Sequence, residues 1–364
     1  MPTPWKLRIF LKESAFAAVA FTGAIYLYFL TANWGMQDYL VEGPLKDYLG
    51  NPVIHFQHLL AGMMFGGLLG AVNRLAESRW LRSRPFGLLI LLRSVFYAVG
   101  LCLVFLAVVL LFLLTSILST DSLRLILEEF SLRYLLSIGV WLSLVAIGVN
   151  FLIEVRRLVG EENVWRLLTG HYRRPRHEDR VFLFMDLAGS VTAAERLGHR
   201  RYSEFIQECF QDLTMVALKY GGRIYQYVGD EIVMTWPAQS TDSRARSVQA
   251  FFAYERALAE KSPAYVNRFG VAPIFRGGID VGSVMATEVG ELKRAIAYHG
   301  DALNTASRLL DLCKERKGRL LVSDRVGKAV AGDPSVRMGL QEEVMMKGKQ
   351  EPTLVFSLEP GSES

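Results

Sequence analysis

The first 153 residues of the chain are dominated by long apolar runs, whereas the residues after them alternate short apolar and polar segments. Four of the runs are long enough to cross a bilayer as helices, which takes about 20 residues. They cover residues 14–32, 53–72, 94–118 and 134–153. The pattern therefore predicts an all-α transmembrane four-helix bundle over residues 1–153, followed by a domain of ordinary globular composition.

Charges in the connections between these runs indicate how the runs are oriented. The basic residues cluster before the first run, between the second and third, and after the fourth, whereas the other two connections are acidic or balanced. They are Lys6, Arg8, Lys12, Arg74, Arg79, Arg82, Arg84, Arg93, Arg156 and Arg157. Because cytoplasmic loops carry an excess of Lys and Arg, we expect a multi-pass protein of the plasma (inner) membrane with both ends cytoplasmic. The formal net charge of +5 follows from this topology, so no nucleic-acid partner is predicted.

The second apolar run contains two features beyond its hydrophobicity. Gly62, Gly66 and Gly70 recur every four residues, which places them on one helix face and permits close approach of another backbone. They indicate either packing within the bundle, which we favour, or a dimer seam. His55 and His58 also share a face. Such histidines would bind a haem or a metal, would sense pH or a quinone, or would be polar residues at the outer interface. We favour the interface because no partner ligands are evident.

Residues 154–177 connect the two parts of the chain. Their apolar positions are spaced as on one face of a helix and are Val155, Leu158, Val159, Val164, Leu167 and Leu168. Gly170 and Pro175 then predict the end of the helix. We interpret the segment as a juxtamembrane signalling helix and linker, with a plain juxtamembrane helix as the compatible alternative.

Residues 178–360 have the length and pattern of a single domain. The predicted elements are a strand (181–186), two helices (191–197, 202–219), a hairpin (223–236), a helix (243–261), three strands (274–281, 284–289, 294–298), a helix (302–315), a strand (319–322), a helix (324–330) and a final hairpin around Lys347-Gly348-Lys349. This order predicts an α+β domain with a ferredoxin-like βαββαβ core. We expect its helices on one face of a mostly antiparallel sheet.

Two carboxylates stand at chemically suggestive places in this domain. Asp186 ends the first predicted strand and precedes the turn Leu187-Ala188-Gly189-Ser190, while Asp230 occupies the tip of the hairpin. A pair of strand-end aspartates beside a glycine-containing turn suits Mg²⁺ held against a polyphosphate.

A second pair of polar residues lies on the predicted helix 302–315. Asn304 and Arg308 are four residues apart and therefore share a helix face. An amide that fixes a ribose and a guanidinium that meets phosphate charge make chemical sense there. The alternative is an ordinary solvated helix face.

Three segments, at 184–190 (FMDLAGS), 227–231 (YVGDE) and 300–308 (GDALNTASR), together resemble the class III nucleotidyl cyclase catalytic domain of bacterial, membrane-anchored enzymes. The resemblance implies that Asp186, Leu187 and Asp230 hold two divalent cations per site, Mg²⁺ or Mn²⁺. It implies that the backbone of Leu187, Ala188, Gly189 and Ser190 contacts phosphate, and that Lys347 presents a cation near it. A solvated hairpin lysine is the alternative for Lys347.

In this family Asn304 would orient the ribose and Arg308 would stabilise charge at the α-phosphate. Because family members take the aspartates from one protomer and the Asn/Arg pair from the other, the resemblance implies a head-to-tail homodimer. A monomer should be inert. Gln226 stands where adenylyl members often have Lys, and Ala297 where they often have Asp or Thr. The Glu that guanylyl members tend to have at the first position is absent, so ATP is the predicted substrate.

These observations predict a membrane-bound adenylate cyclase that converts ATP to 3′,5′-cyclic AMP and pyrophosphate, regulated through its membrane domain. The alternatives are a guanylate cyclase that uses GTP, or a degenerate cyclase fold that only binds nucleotide. The second alternative predicts a lost metal carboxylate or a lost arginine, and the sequence retains both.

Overall fold

The structure of the chain is a computed structural model. It describes residues 4–34, 53–75, 87–88, 91–97, 99–100, 132–159, 166, 169–238, 241–291 and 294–361. The chain divides into two compact units, Met1–Trp165 and Arg166–Ser364.

Long apolar helices make up the described part of the N-terminal unit. They are α1 (Pro4–Trp34), α2 (Val53–Leu75) and α3 (Leu132–Val159). By length and composition, Phe10–Thr31 in α1 and Gly139–Arg156 in α3 could each cross a membrane, whereas the apolar stretch of α2, His58–Asn73, is shorter. The predicted run 94–118 lies mostly outside the described residues, so the four-span bundle stays a prediction. The linker's first residues, up to Val159, continue α3.

The glycines of α2 pack against α1 of the same chain. A Cβ on Gly66 would lie 2.3 Å from the backbone nitrogen of Ala18, and one on Gly62 would lie 1.9 Å from the Thr22 hydroxyl. Only glycine permits this approach of two helices. The interpretation of the three glycines as an intrachain packing face is confirmed.

The two histidines of α2 lie against aromatic residues of α1. The Tyr26 hydroxyl is 3.2 Å from His55 Nδ1, and the His58 ring lies 5.1 Å from the ring of Phe29. These contacts are typical of an aromatic and polar cluster near a helix end. Haem binding by His55 and His58 stays an untested prediction.

The C-terminal unit contains an eight-stranded sheet and four helices among the described residues. Its elements are β1 (Arg176–Leu187), α4 (Ser190–Tyr220), β2 (Arg223–Val228), β3 (Glu231–Pro237), α5 (Thr241–Phe269), β4 (Phe275–Val289), β5 (Ala295–His299), α6 (Asp301–Glu315), β6 (Leu320–Ser323), α7 (Asp324–Val330), β7 (Val336–Val344) and β8 (Thr353–Pro360). The sheet order is β2-β3-β1-β4-β6-β8-β7, with β5 beside β4. The first six elements follow the predicted βαββαβ order, and among the described strands only the β4–β6 pair is parallel.

The helices cover both faces of the sheet, so the prediction that they lie on one face is wrong. Val181, Leu183 and Met185 share a core cluster with residues of α4, α5 and α7. Phe182 and Phe184 point the other way and pack with α6. The physical reason is visible in β1, which is continuously apolar from 181 to 185 and buried throughout. A strand covered on both faces reads this way, whereas alternation marks a strand with one solvated face.

The position of α6 depends on a close approach to β4. A Cβ on Gly278 would lie 2.3 Å from the Leu310 nitrogen and 2.4 Å from the Ala306 carbonyl oxygen. The helix therefore rests directly on the strand backbone. The predicted strands 274–281 and 284–289 are the single strand β4.

Candidate active site

The fold brings Asp186 and Asp230 together at one edge of the sheet. Asp186 is the last residue but one of β1, and Asp230 lies in the β2–β3 turn, where Gly229 has φ 64°. Strands β1 and β3 are paired, with Met185 opposite Ile232. The end of β1 and the hairpin turn are therefore neighbours, and the two carboxylates are close enough for the charge of Asp230 to raise the pKa of Asp186.

The electrostatics of the pair favour a cation. Burial raises the pKa of Asp186, and the neighbouring Asp230 raises it further, while a hydrogen bond and the charge of Lys314 lower it; the net shift is upward. Asp230 Oδ2 is buried and receives no hydrogen bond from the described part of the chain. Two adjacent carboxylates, one of which keeps an oxygen without a hydrogen bond in the described part of the chain, supply the oxygen ligands that divalent cations prefer. The residues present therefore fit Mg²⁺ or Mn²⁺.

Lys314 is a member of this cluster that sequence reasoning missed. Its ammonium forms an ion pair with Asp186 Oδ2 and lies 4.0 Å from Asp311 Oδ1. Burial lowers the pKa of Lys314, but the hydrogen bond to Asp186 and the surrounding negative charges outweigh it and raise the pKa. In the sequence this residue is simply the basic residue in the last turn of α6, where a cation is ordinary.

Tyr202 is a second residue that the sequence did not reveal. Burial and the charges of Asp230 and Asp186 raise its pKa to about 12, although a hydrogen bond with Ser190 opposes the shift. Tyr202 also lines a groove of about 560 Å³ between α4 and the β2–β3 hairpin, which contains Asp230. Its phenol is therefore a neutral group beside the carboxylate pair.

The turn after β1 offers fewer backbone donors than its sequence suggests. The Leu187 N–H donates to Asp186 Oδ1 at 3.0 Å, and the Ala188 N–H donates to the Ile274 carbonyl at 2.8 Å. Gly189 and Ser190 open α4, where the first N–H groups of a helix have no intrahelical acceptor. These two residues are the better candidates for phosphate contact. The Leu187 carbonyl as a metal ligand stays a prediction.

The predicted ribose and phosphate residues lie on α6 and on the β7–β8 hairpin. Asn304 is exposed and Arg308 is half-buried. Arg308 Nη2 would be 3.4 Å from a Cβ on Gly348, so the hairpin that carries exposed Lys347 lies beside the guanidinium. Lys349 Nζ is 3.1 Å from Asp301 Oδ2, which ties the hairpin to the start of α6.

Gln226 and Ala297, which the resemblance implies as the residues that select the purine base and which we call the base positions, lie on different strands. Gln226 is exposed on β2, directly after an irregularity in the β2–β3 register: Ile224 pairs with Met234 and Gln226 with Val233. The unpaired residue Tyr225 is thus a β-bulge, which re-aims the side chains around it. Ala297 is half-buried on β5, opposite Thr287.

The site residues fall into two groups. We call Asp186 and Asp230 the carboxylate group, and Asn304, Arg308 and Lys347 the cationic group. Within the described part of the chain, no hydrogen bond or ion pair joins the carboxylate group to Asn304 or Arg308.

A sequence model described as the adenylate and guanylate cyclase catalytic domain matches residues 173–359, just over half of the chain. The chain belongs to the adenylate and guanylate cyclase family. The matched region contains every residue of the carboxylate and cationic groups. The recognition of a class III cyclase domain from its three sequence segments is confirmed.

Individual relatives are named as cyclases too. Adenylate cyclase 2 of Rhizobium meliloti (strain 1021) is 35% identical over 212 residues, covering 58% of this cyclase-family chain and 58% of that protein. The adenylate cyclase of Anabaena cylindrica is 25% identical over 184 residues, covering 49% and 36%. The chain therefore spans less than two thirds of the length of either relative. Among solved structures, the adenylyl cyclase CyaB from P. aeruginosa aligns with TM-score 0.46 at 18% identity, covering 51% of this chain and 95% of that one.

Proposed function

We propose that the protein is a membrane-bound adenylate cyclase that converts ATP to 3′,5′-cyclic AMP and pyrophosphate. The observation that carries the proposal is the complete reactive set, Asp186, Asp230, Asn304 and Arg308, on a domain of the cyclase family. The name of the Rhizobium relative favours ATP as the substrate. A degenerate nucleotide-binding domain would not need all four residues.

Asp186 and Asp230, with the Leu187 carbonyl, would hold two divalent cations. When bound, such cations supply charge neutralisation on the triphosphate and make the ribose 3′-hydroxyl easier to ionise. The protein's own part is to keep the two carboxylates adjacent and ionised, which Lys314 supports from α6. Gly189 and Ser190 would donate backbone N–H groups to phosphate oxygens at the start of α4.

The cationic group would act on the other side of the nucleotide. Asn304 would orient the ribose so that its 3′-oxygen attacks the α-phosphorus in line with the departing pyrophosphate. Arg308 and Lys347 would stabilise the negative charge that builds up on the phosphate oxygens. Gln226 would offer its amide to the purine edge, and Ala297 would leave room beside it.

We further propose that each site is shared by two copies of the chain in a head-to-tail homodimer. Within the described residues, no hydrogen bond or ion pair joins the carboxylate group to Asn304 or Arg308, which agrees with that arrangement. Membrane attachment is supported by the two apolar helical stretches and by the basic connections. A multi-pass bundle with a cytoplasmic catalytic domain is the arrangement we propose.

The test is cyclase activity of the full-length protein in lipid, with ATP and GTP offered separately, first in Mg²⁺ and then in Mn²⁺. We expect cyclic AMP as the main product. Cyclic GMP as the main product would show that GTP is the substrate, with the proposed mechanism unchanged. No product from either nucleotide, from a dimer that binds both, would contradict the catalytic proposal in favour of a nucleotide-binding domain.

A further inference from the structure

Arg180 is a buried arginine on β1, six residues before Asp186, with 1% of its surface exposed. Its Nε donates to Thr235 Oγ1 at 3.0 Å, and its Nη1 donates to Glu178 Oε2 at 2.7 Å. The guanidinium carbon lies 4.7 Å from the centroid of the Tyr298 ring. One arginine therefore holds β3, the beginning of β1 and β5 together.

Tyr298 connects Arg180 to the neighbours of both residues that we expect to face the base, Ala297 and Gln226. It directly follows Ala297 on β5 and is buried, so its ring fixes how that strand lies on β4. Its ring also meets Tyr225 edge to face, with centroids 5.1 Å apart. Tyr225 is the bulged residue of β2 and directly precedes Gln226. Because a bulge changes the direction of the side chains next to it, the packing of Tyr225 helps to set where Gln226 points.

The other end of the network is Tyr172, in the segment before β1. Its hydroxyl donates to Glu178 Oε1 at 2.6 Å, and its carbonyl accepts from the Glu288 N–H at 2.9 Å. Tyr172 has 1% of its surface exposed and packs in the same core cluster as Phe182 and Tyr298. A continuous chain of contacts therefore runs Tyr172–Glu178–Arg180–Tyr298–Tyr225.

The chemistry of this chain of contacts is unusual for a core. Burying the Arg180 guanidinium costs several kcal/mol before its attraction to the half-buried Glu178 is counted, and well-packed apolar residues often serve stability as well or better. Arg180 Nη2 has no hydrogen-bond acceptor within the described residues, so the Tyr298 ring face is its remaining partner. A buried arginine with directional partners fixes the arrangement of its neighbours more sharply than apolar packing does.

We propose that Arg180 is a positioning residue for the base pocket. It holds Tyr298 and, through it, Tyr225, and so fixes the strands that carry Ala297 and Gln226. Through Glu178 it also makes that geometry depend on Tyr172. The proposal rests on the function proposed above, because it takes Gln226 and Ala297 as the residues that face the purine.

The test compares Arg180→Lys with Arg268→Lys in the full-length protein in lipid. Lysine keeps the charge but cannot reach Thr235 and Glu178 with a fork while lying flat on a ring. Arg268 is the matched control: it pairs with Glu208 at 2.6 Å and lies 4.9 Å from the ring of Phe269, but it is 56% exposed and not on a base-position strand. The probes are 3′-deoxy-ATP and 3′-deoxy-GTP, which lack the attacking hydroxyl and so report binding without turnover.

We expect Arg180→Lys to lower the ratio of ATP-analogue to GTP-analogue affinity about tenfold, because misplacing a positioned group by a fraction of an ångström loosens discrimination. Arg268→Lys should leave the ratio unchanged. Mn²⁺ binding measured by electron paramagnetic resonance should be the same in both, because Asp186 and Asp230 are untouched.

An unchanged ratio in an Arg180→Lys protein that melts like the wild type would overturn the proposal. If that variant fails to fold, Tyr172→Phe decides instead, since it removes only the hydroxyl that holds Glu178; an unchanged ratio there would overturn it too. If the wild type binds the analogues but does not convert ATP, the proposed cyclase activity is contradicted. The present inference is then still judged by the ratio of ATP-analogue to GTP-analogue affinity. A wild type that binds neither analogue, or both equally, would overturn the inference.

Discussion

The carboxylate group and the cationic group of the site are held by different means. Asp186 and Asp230 lie at a strand end and a tight turn, close enough for Asp230 to raise the pKa of Asp186. Asp230 Oδ2 is buried and accepts no hydrogen bond from the described residues. Asn304 and Arg308 stand on a helix that rests directly on the sheet at Gly278. The first group has a surplus of negative charge, whereas the second places an exposed amide and a half-buried guanidinium on a helix.

This difference implies different consequences of mutation. Removing a carboxylate should abolish cation binding, because the surplus charge is what attracts the cation. Removing Arg308 should leave cation binding intact and affect only the reaction. The predictions that follow separate the two groups on that basis.

The largest effect should come from Asp230→Asn. Losing one of two metal carboxylates removes several kcal/mol of charge stabilisation, so we expect turnover to fall about 1,000-fold or more. Mn²⁺ binding, measured by electron paramagnetic resonance, should be lost as well. Asp242→Asn, which alters an exposed helix pair with Arg246, is the control and should change neither. Retained Mn²⁺ binding in Asp230→Asn would contradict the assignment of the carboxylate group.

Arg308→Ala should lower kcat about 100-fold to 1,000-fold, the range seen when one transition-state donor is removed. Mn²⁺ binding should stay at the wild-type level, which is the difference from Asp230→Asn. Arg308→Lys should recover part of kcat, because the charge returns without the planar fork. Loss of Mn²⁺ binding in Arg308→Ala would show that the two groups are not separable in this way.

Mixing the two inactive chains tests whether the groups meet across a dimer. In a mixed dimer of Asp230→Asn and Arg308→Ala chains, one site carries both lesions and the other carries none. Random pairing should therefore restore about a quarter of wild-type activity per dimer. Mixed dimers confirmed by native mass spectrometry that show no activity would argue that each site lies within one chain.

Every residue of both groups was predicted from the sequence. Four of them lie in a local signal, which is a strand end, a Gly-Asp turn or a helix face, whereas Lys347 follows from the family resemblance; the roles of all five stay predictions. Lys314 and Tyr202 were not found, because their roles arise from contacts between α6 or α4 and the sheet. The bulge at Tyr225 was also missed, since a one-residue register change has no composition signal. The two-sided burial of β1 was present in its unbroken apolar run, but the pattern was outweighed by the expectation of a half-exposed antiparallel sheet.

Lys314 offers a test of the carboxylate group that is smaller and concerns pH. Its charge favours the ionised form of Asp186 and so lowers a pKa that burial and Asp230 raise. In Lys314→Met the pKa of Asp186 should rise further. Because cation binding needs the ionised carboxylate, half-maximal Mn²⁺ binding should move to higher pH. Lys314→Arg should move it back toward the wild type, and a shift to lower pH would contradict this account.

The smallest effect should come from the ion pair that ties the Lys347 hairpin to α6. Lys349 is 19% exposed and Asp301 is 64% exposed, so solvent screens the pair and its contribution to stability is about 1 kcal/mol or less. Its contribution to the site is positional, because the same hairpin lies beside Arg308. Lys349→Met should therefore raise KM for ATP about threefold, within the range that a weak pair of this kind can supply, while kcat and the melting temperature stay near wild type. Lys328→Met, which breaks the 2.7 Å pair with Asp324 on α7, is the matched control. Equal effects of the two changes on KM would mean that Lys349 adds only surface charge, and that the cationic group owes its geometry to α6 alone.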